Sequence, residues 1–279
     1  MRKIIINADD LGMSDFVNSQ IEECINQGVV TSCTLMANAP AFEGGVYIAQ
    51  KYPDISVGVH LNLIEFAPLT NVDIFKKHGI VGEDGSFIEG AIRVMSIDEE
   101  LKRAIFEEWD AQICKVEDMG IVPSHCDSHE HTHTISALQD ILCKVLDKHH
   151  INKVRRKSIP SIRLMLRTKK QHIVQYDKSK AMTAPKRNII YRRFLLFEEK
   201  IISYRWNKKM GNKYELTNSF YAFRDFSLNR DVLSLGGDNS VIELMCHPGN
   251  IPFQEETNML MKDRSWLVDR FELSNYFSF

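Results

Sequence analysis

Short apolar, β-branched runs alternate with helix-period segments through the first 160 residues, and that alternation leaves few folds open to the chain. KIIIN (3–7) leads into SDFVNSQIEECINQG, where Val17, Ile21, Cys24 and Ile25 recur at helical spacing and Gly28 supplies a stop. VVTSCTLMAN (29–38) predicts a second strand, AFEGGVYIAQKY a helix, and ISVGVHLNL (55–63) a third strand. Residues 97–119 predict a long helix ending at Gly120. IVPSHCD, ISALQDILCKVLDKHH and INKVRRK then read as strand, helix and strand, and VIELMCH (241–247) as another buried strand. Strands separated by helices pair in parallel through right-handed crossovers, which limits the class to an α/β barrel or a doubly wound sheet. Both put their chemistry at the carboxyl ends of the strands. The chain reads as one domain over residues 1–279, with an insertion near 64–96 and a basic segment near 155–213.

Charge and cysteine usage narrow the partners. A formal net charge of -2 gives no whole-protein attraction to nucleic acid or anionic membrane. The apolar run after MRK is too short for a signal peptide, and no stretch approaches a membrane span. Six cysteines without a CxxC pair read as free thiols in a reducing compartment, so the expected location is cytoplasmic. The basic segment has two readings. It is a solvated helical surface, or Arg155, Arg156, Arg163 and Arg167 join Tyr191 and Trp206 in a lid over an anionic glycan or a nucleotide- or lipid-linked sugar.

Ionisable groups gather at strand exits. Asp9 and Asp10 follow KIIIN, His60 ends ISVGVH, His125 to His131 follow IVP, and His247 ends VIELMC. Two adjacent carboxylates repel unless a cation sits beside them. One of them could instead cap the helix that opens near Ser14, and His60 could be a core histidine bonded to backbone. Asn62, two residues beyond His60, shares its face in a strand and could orient it or touch substrate. In SHCDSHEHTHT (124–134), His125, Asp127, His129, His131 and His133 share parity, so an extended chain would aim them to one side. A divalent metal makes such imidazole density tolerable, with carboxylates fixing the remaining ring N–H groups; the alternative is a histidine-rich surface loop. In CHPGN (246–250), Pro248 stops the strand and Gly249 frees a turn, poising His247 at the same end.

The ordered set NADDLG, GVHLNL, SHCDSHEHTH and ELMCHPG, spanning residues 7–249, resembles the YdjC/ChbG-like carbohydrate deacetylase family. The resemblance implies an irregular (β/α) barrel, one divalent metal ion, and hydrolysis of N-acetyl groups on amino sugars such as chitooligosaccharides; homodimers are in keeping with it. Asp10, His60 and His129 match the family's metal ligands, Asp9 the general base and His247 the general acid. His125, Asp127 and His131, with Asn62 and Arg155, become supporting or substrate-contacting groups. One carboxylate and two imidazoles do not choose among Mg²⁺, Zn²⁺, Mn²⁺ and Co²⁺. HLNLIE departs from the HLNLT-like continuation usual in the family, which loosens the substrate assignment. Two rival readings remain. An amidohydrolase-like or phosphoesterase metal hydrolase also uses D-x-H-x-H, although there the histidines usually follow the first strand. A non-catalytic glycan or nucleic-acid binder could use the basic segment, but has no need of Asp9, Asp10, His60, His129 and His247.

Overall fold

The computed structural model describes residues 1–159, 189–231, 233 and 235–279. Its first half follows the predicted alternation: β1 (Lys3–Leu11), α1 (Asp15–Asn26), β2 (Ser32–Leu35), α2 (Phe42–Lys51) and β3 (Ser56–Leu61). The insertion holds the short helices α3 (Val72–Lys77) and α4 (Ala91–Val94), and an isolated antiparallel bridge joins Val81 to Phe87. Then come α5 (Glu99–Asp118), β4 (Cys126–Ser128), α6 (Gln139–Lys148) and α7 (Ile189–Gly211). The chain continues through β5 (Ser219–Ala222), α8 (Phe223–Leu228), β6 (Val241–Cys246), α9 (Gln254–Val268) and β7 (Glu272–Ser274). Helix starts obey local chemistry. The Ser14 hydroxyl accepts from Val17 N at 3.2 Å and Asp98 Oδ1 from Leu101 N at 2.8 Å, so neither Asp9 nor Asp10 serves as the α1 cap.

All strand pairs are parallel, in the order β4-β3-β2-β1-β6-β5, with β7 also on β1. Among the described residues the sheet is a half-barrel and does not close through continuous ladders, in contrast to a full (β/α) barrel. The strands expected at 121–127 and 151–157 are the reason. Pro123 lacks a donor, so β4 shrinks to three residues, and the second stretch contributes only isolated bridges, Cys126 to Val154 and Lys153 to Glu215. Along one edge of β1, β7 pairs with Lys3–Ile5 and β2 takes over from Asn7, so the chain after β7 enters beneath the sheet.

One contiguous apolar cluster runs from Ile4 to Phe271 and contains Ile6, Leu35, Val59, Trp109, Leu142, Trp206 and Leu244. Helices α5 and α6 cover the sheet with Ile105, Trp109, Ile113, Leu142 and Leu146, all buried. At Gly58, in β3, an added Cβ would stand 2.6 Å from the His125 ring and from its backbone carbonyl. Gly58→Ala is therefore expected to lower stability by about 1–3 kcal/mol, as overpacking against backbone does, read from the denaturant midpoint at unchanged m-value.

Candidate metal and catalytic site

β1 runs beyond KIIIN to Leu11, so Asp9 and Asp10 lie inside the strand and not after it. Their side chains still both approach His60, because the pairing with β2 shifts register between Ala8 and Leu11 and Asp10 adopts a left-handed φ of 67°. Such a backbone costs a non-glycine residue roughly 1–3 kcal/mol and clusters at functional positions.

Asp10, His60 and His129 bring ligand atoms within 4.8 Å of one another. Asp10 Oδ1 lies 2.9 Å from His129 Nδ1 and 3.3 Å from His60 Nε2, while Asn250 Nδ2 donates to Asp10 Oδ2 at 2.9 Å. Behind His60, Asp127 Oδ1 sits 2.6 Å from Nδ1, and the Thr34 hydroxyl donates to Asp127 Oδ2 at 3.2 Å. Burial works against the Asp10 charge, but the two imidazoles outweigh it and hold its carboxyl well below the usual range. His60 shows the converse: desolvation pushes it down, yet Asp127 and Asp10 raise it to about 10.

Asp9 lies beside this triad under a different control. Arg155 grips it in a fork, Nη1 to Oδ2 at 2.6 Å and Nη2 to Oδ1 at 2.7 Å, and Asn7 Nδ2 donates to Oδ1 at 2.8 Å. Burial would raise Asp9, but the guanidinium wins and holds it far below the ordinary carboxylate value. The same guanidinium meets Asp127 Oδ2 and Glu243 Oε1 at 2.6 Å each, and the Tyr276 hydroxyl donates to Glu243 Oε2 at 2.6 Å. Three buried carboxylates, Asp9, Asp127 and Glu243, thus share the guanidinium of Arg155, and Asp10 adds a fourth buried carboxylate beside them, an excess of negative charge that favours cations and protonated imidazoles.

His247 closes the cavity from the end of β6, half-buried and stacked on Phe253 with ring centroids 4.2 Å apart. Glu256 accepts from its backbone N at 2.8 Å and lies 3.4 Å from Nδ1. Desolvation lowers His247, but Glu256, Asp9 and Asp10 together raise it to about 9. A histidine held this high is charged near neutrality, and the charged form is lost as pH rises through about 9. Glu256→Gln keeps an acceptor for the backbone N–H and removes the charge, so the alkaline limb of activity should move down toward an ordinary histidine value of about 6.5, measured as a pH–rate profile.

The sequence profile of the YdjC-like proteins matches residues 3–269. The chain belongs to the YdjC-like family. Relatives of this YdjC-like chain named carbohydrate deacetylase include one from Halalkalibacterium halodurans, 34% identical over 150 residues, or 53% of this chain and 62% of the relative. Another, from Geobacillus stearothermophilus, is 39% identical over 133 residues, 47% of this chain and 51% of the relative. The chain thus spans about three fifths or less of the length of these relatives. A solved structure described as a "putative cellobiose-phosphate cleavage protein" from Enterococcus faecalis V583 shares the fold, with a TM-score of 0.70 at 22% identity over 99% of this chain and 98% of that one.

The YdjC-like sequence motifs split in the fold. The parity argument for residues 125–133 fails, because 3₁₀ turns run from His129 to Thr134 and Glu130 and His131 take positive φ. Of those histidines, His129 alone bonds to Asp10. His125 stacks on Tyr276 at 3.5 Å, its Nε2 without a hydrogen-bond partner among the described residues, and burial drives it well below its ordinary value. His133 lies 2.6 Å from Ser128 Oγ and packs on Trp206, while His131 meets Phe220 edge-on and burial lowers it to about 3. Asn62 is buried and ties Glu65 O, Ile64 N and Asn38 together, so it shapes the loop and does not orient His60.

The lid reading fails for the residues that can be placed. Arg155 is buried under Asp9, Arg156 binds the backbone oxygens of Thr217 and Asn218, and Trp206 is core. Arg163, Arg167 and the Tyr191 side chain lie outside the described residues. In the loop after β3, Glu108 accepts from Leu69 N, Thr70 N and the Thr70 hydroxyl. That loop carries Glu65, the departure seen in HLNLIE, to 3.8 Å from His129 Nε2. Sequence reading missed Thr34, Glu243, Asn250, Glu256 and Tyr276; Glu243 and Asn250 flank the quoted CHPG, and a glutamate inside an apolar strand was the available signal.

Proposed function

We propose that this chain is a metal-dependent hydrolase that removes N-acetyl groups from amino sugars of the chitooligosaccharide type. The observation that carries the reading is the clustering of Asp10, His60 and His129, with Asp9 within ligand distance of His60 and His247 close enough to feel both aspartates. The three groups fit a divalent ion: one carboxylate and two imidazoles face each other at ligand-to-ligand distances, and Asp127 fixes the far nitrogen of His60 as a metal-bound histidine requires. The donor set suits Mg²⁺, Zn²⁺, Mn²⁺ or Co²⁺. When bound, the ion supplies Lewis acidity for amide hydrolysis.

The protein's own groups do the proton work. Arg155 and Asn7 orient the ionised Asp9 carboxylate, our general-base candidate, to accept a hydrogen bond and then a proton from the attacking water. His247, protonated near neutrality, gives its proton to the amine nitrogen as the C–N bond breaks. Asn250 holds Asp10 in place, and the Phe253 ring fixes the plane of the His247 imidazole.

The test is to incubate the purified protein and a divalent cation with N-acetylated mono-, di- and oligosaccharides and measure acetate. Release that stops with a chelator and returns with added cation supports the reading. Hydrolysis of generic phosphate esters without acetate release would replace it with the phosphoesterase alternative.

A further inference from the structure

We propose a second metal site, for a thiophilic divalent cation such as Zn²⁺, formed by Asp110, Cys114 and His149 where α5 meets the end of α6. The ligand atoms of these three residues lie within 4.8 Å of one another. Asp110, Cys114 and Glu117 recur at i, i+4 and i+7 on α5 and so share one helix face. His149 caps α6 and brings its ring to that face, with Nε2 2.9 Å from Asp110 Oδ1.

Glu117 makes the cluster more than a surface ion pair. Its Oε2 lies 2.8 Å from His149 Nδ1, so the carboxylate holds the proton there and leaves Nε2 directed at Asp110. A carboxylate behind a histidine in this way is the usual support of a metal-ligating imidazole. His149 is nearly enclosed, its side chain 5% exposed, while Asp110 is 21% exposed, so the ring is fixed and the cluster remains reachable from solvent. The Cys114 thiol, half-buried and unpaired, completes a Cys-His-Asp set that leaves a fourth position for water in a tetrahedral zinc site.

Charge balances with the ion present. Asp110, Glu117 and a Cys114 thiolate carry three negative charges; Lys148, with Nζ 2.6 Å from Asp110 Oδ1, carries one positive charge, and a divalent ion supplies the other two. Binding releases the thiol proton to solvent and displaces Lys148 from Asp110 Oδ1. Because the Lys148 side chain is half exposed, that displacement returns it to water. The crossover helices run back toward the amino ends of the strands, so this cluster lies at the end away from Asp10. At that end a metal ties α5 to α6 and does not touch the proposed chemistry.

The test is titration of the metal-free full chain with Co²⁺ and with Zn²⁺, following the cobalt–thiolate charge-transfer absorption and the bound equivalents. Wild type and His60→Ala should both show the thiolate band; Cys114→Ser should lose it and bind one zinc fewer than wild type, with unchanged circular dichroism. His149→Gln, which keeps the thiol, should weaken zinc at this site at least tenfold. No thiolate band in wild type overturns the site, as does a band or a zinc count in Cys114→Ser equal to that of wild type. Because His60→Ala is read in parallel, loss of the proposed acetyl chemistry and loss of this site are separate results.

Discussion

His60→Ala and His129→Ala are each expected to abolish cation retention and acetate release together, whereas Asp9→Asn should keep the cation and lose turnover. In the proposed site each imidazole supplies one of three protein donors, the Asp10 carboxylate being the third, and removing either leaves two donors beside an excess of buried negative charge. The fall in activity should reach the detection limit, since the ion's acidifying effect on water is worth on the order of 12 kcal/mol in the strongest zinc cases. Asp9 touches neither imidazole by hydrogen bond and is held by Arg155 and Asn7, so Asp9→Asn removes a proton acceptor and leaves the donors standing. General-base loss of this kind costs roughly 10²–10⁴ in rate. Elemental analysis of the bound ion beside kcat separates the two outcomes. Loss of the ion in Asp9→Asn would mean that the roles of the two aspartates are exchanged.

The second large effect is on folding. Arg155→Met should destabilise the protein by about 3–5 kcal/mol, because it leaves Asp9, Asp127 and Glu243 buried without their shared cation. Calorimetry should show the melting temperature lowered by roughly 10 °C. Acidification should partly rescue this variant. In wild type the Asp9 value is depressed, so its contribution is present above the ordinary carboxylate pKa and is lost only as pH falls toward the depressed one. In the variant the guanidinium's part of that depression is gone, burial weighs more heavily against the Asp9 and Glu243 charges while His60 and His247 still favour the Asp9 anion, and protonation relieves the two groups at higher pH. Arg155→Lys should not restore wild-type stability, since one ammonium cannot reproduce the fork to Asp9 while also meeting Glu243.

Much of the site was legible because its residues sit in short motifs at the ends of apolar runs. Asp10, His60 and His129 do converge, carried by β1, β3 and the turn after β4 in one parallel sheet, with β2 between β1 and β3. The errors came from assuming regular backbone. Parity is meaningful only in an extended chain, and the His129–Thr134 turns break it and send His133 into packing, while His125, before β4, stacks on Tyr276. Arg155, expected as a supporting or substrate-contacting group or as part of the basic segment's surface or lid, is buried among carboxylates of β1, β4 and β6, a convergence that local sequence cannot register. Closure failed where Pro123 shortened a strand. Trp206 and Met210 pack inward on α7 while Lys209 reaches Asp140 in solvent, so the described part of the basic segment is a half-buried helix.

The stretch after β7 has a bearing on how the molecule is made. Tyr276 is buried against His125, its hydroxyl on Glu243, and Lys153 holds the Tyr276 and Phe279 carbonyls at 2.6 Å. During translation, Asp9, Arg155 and Glu243 all leave the ribosome before Tyr276 does. A nascent chain therefore carries an open floor and an unfinished charge cluster until the stretch around Tyr276 has emerged, and intermediates lacking that stretch should admit water to Glu243 that the folded protein excludes.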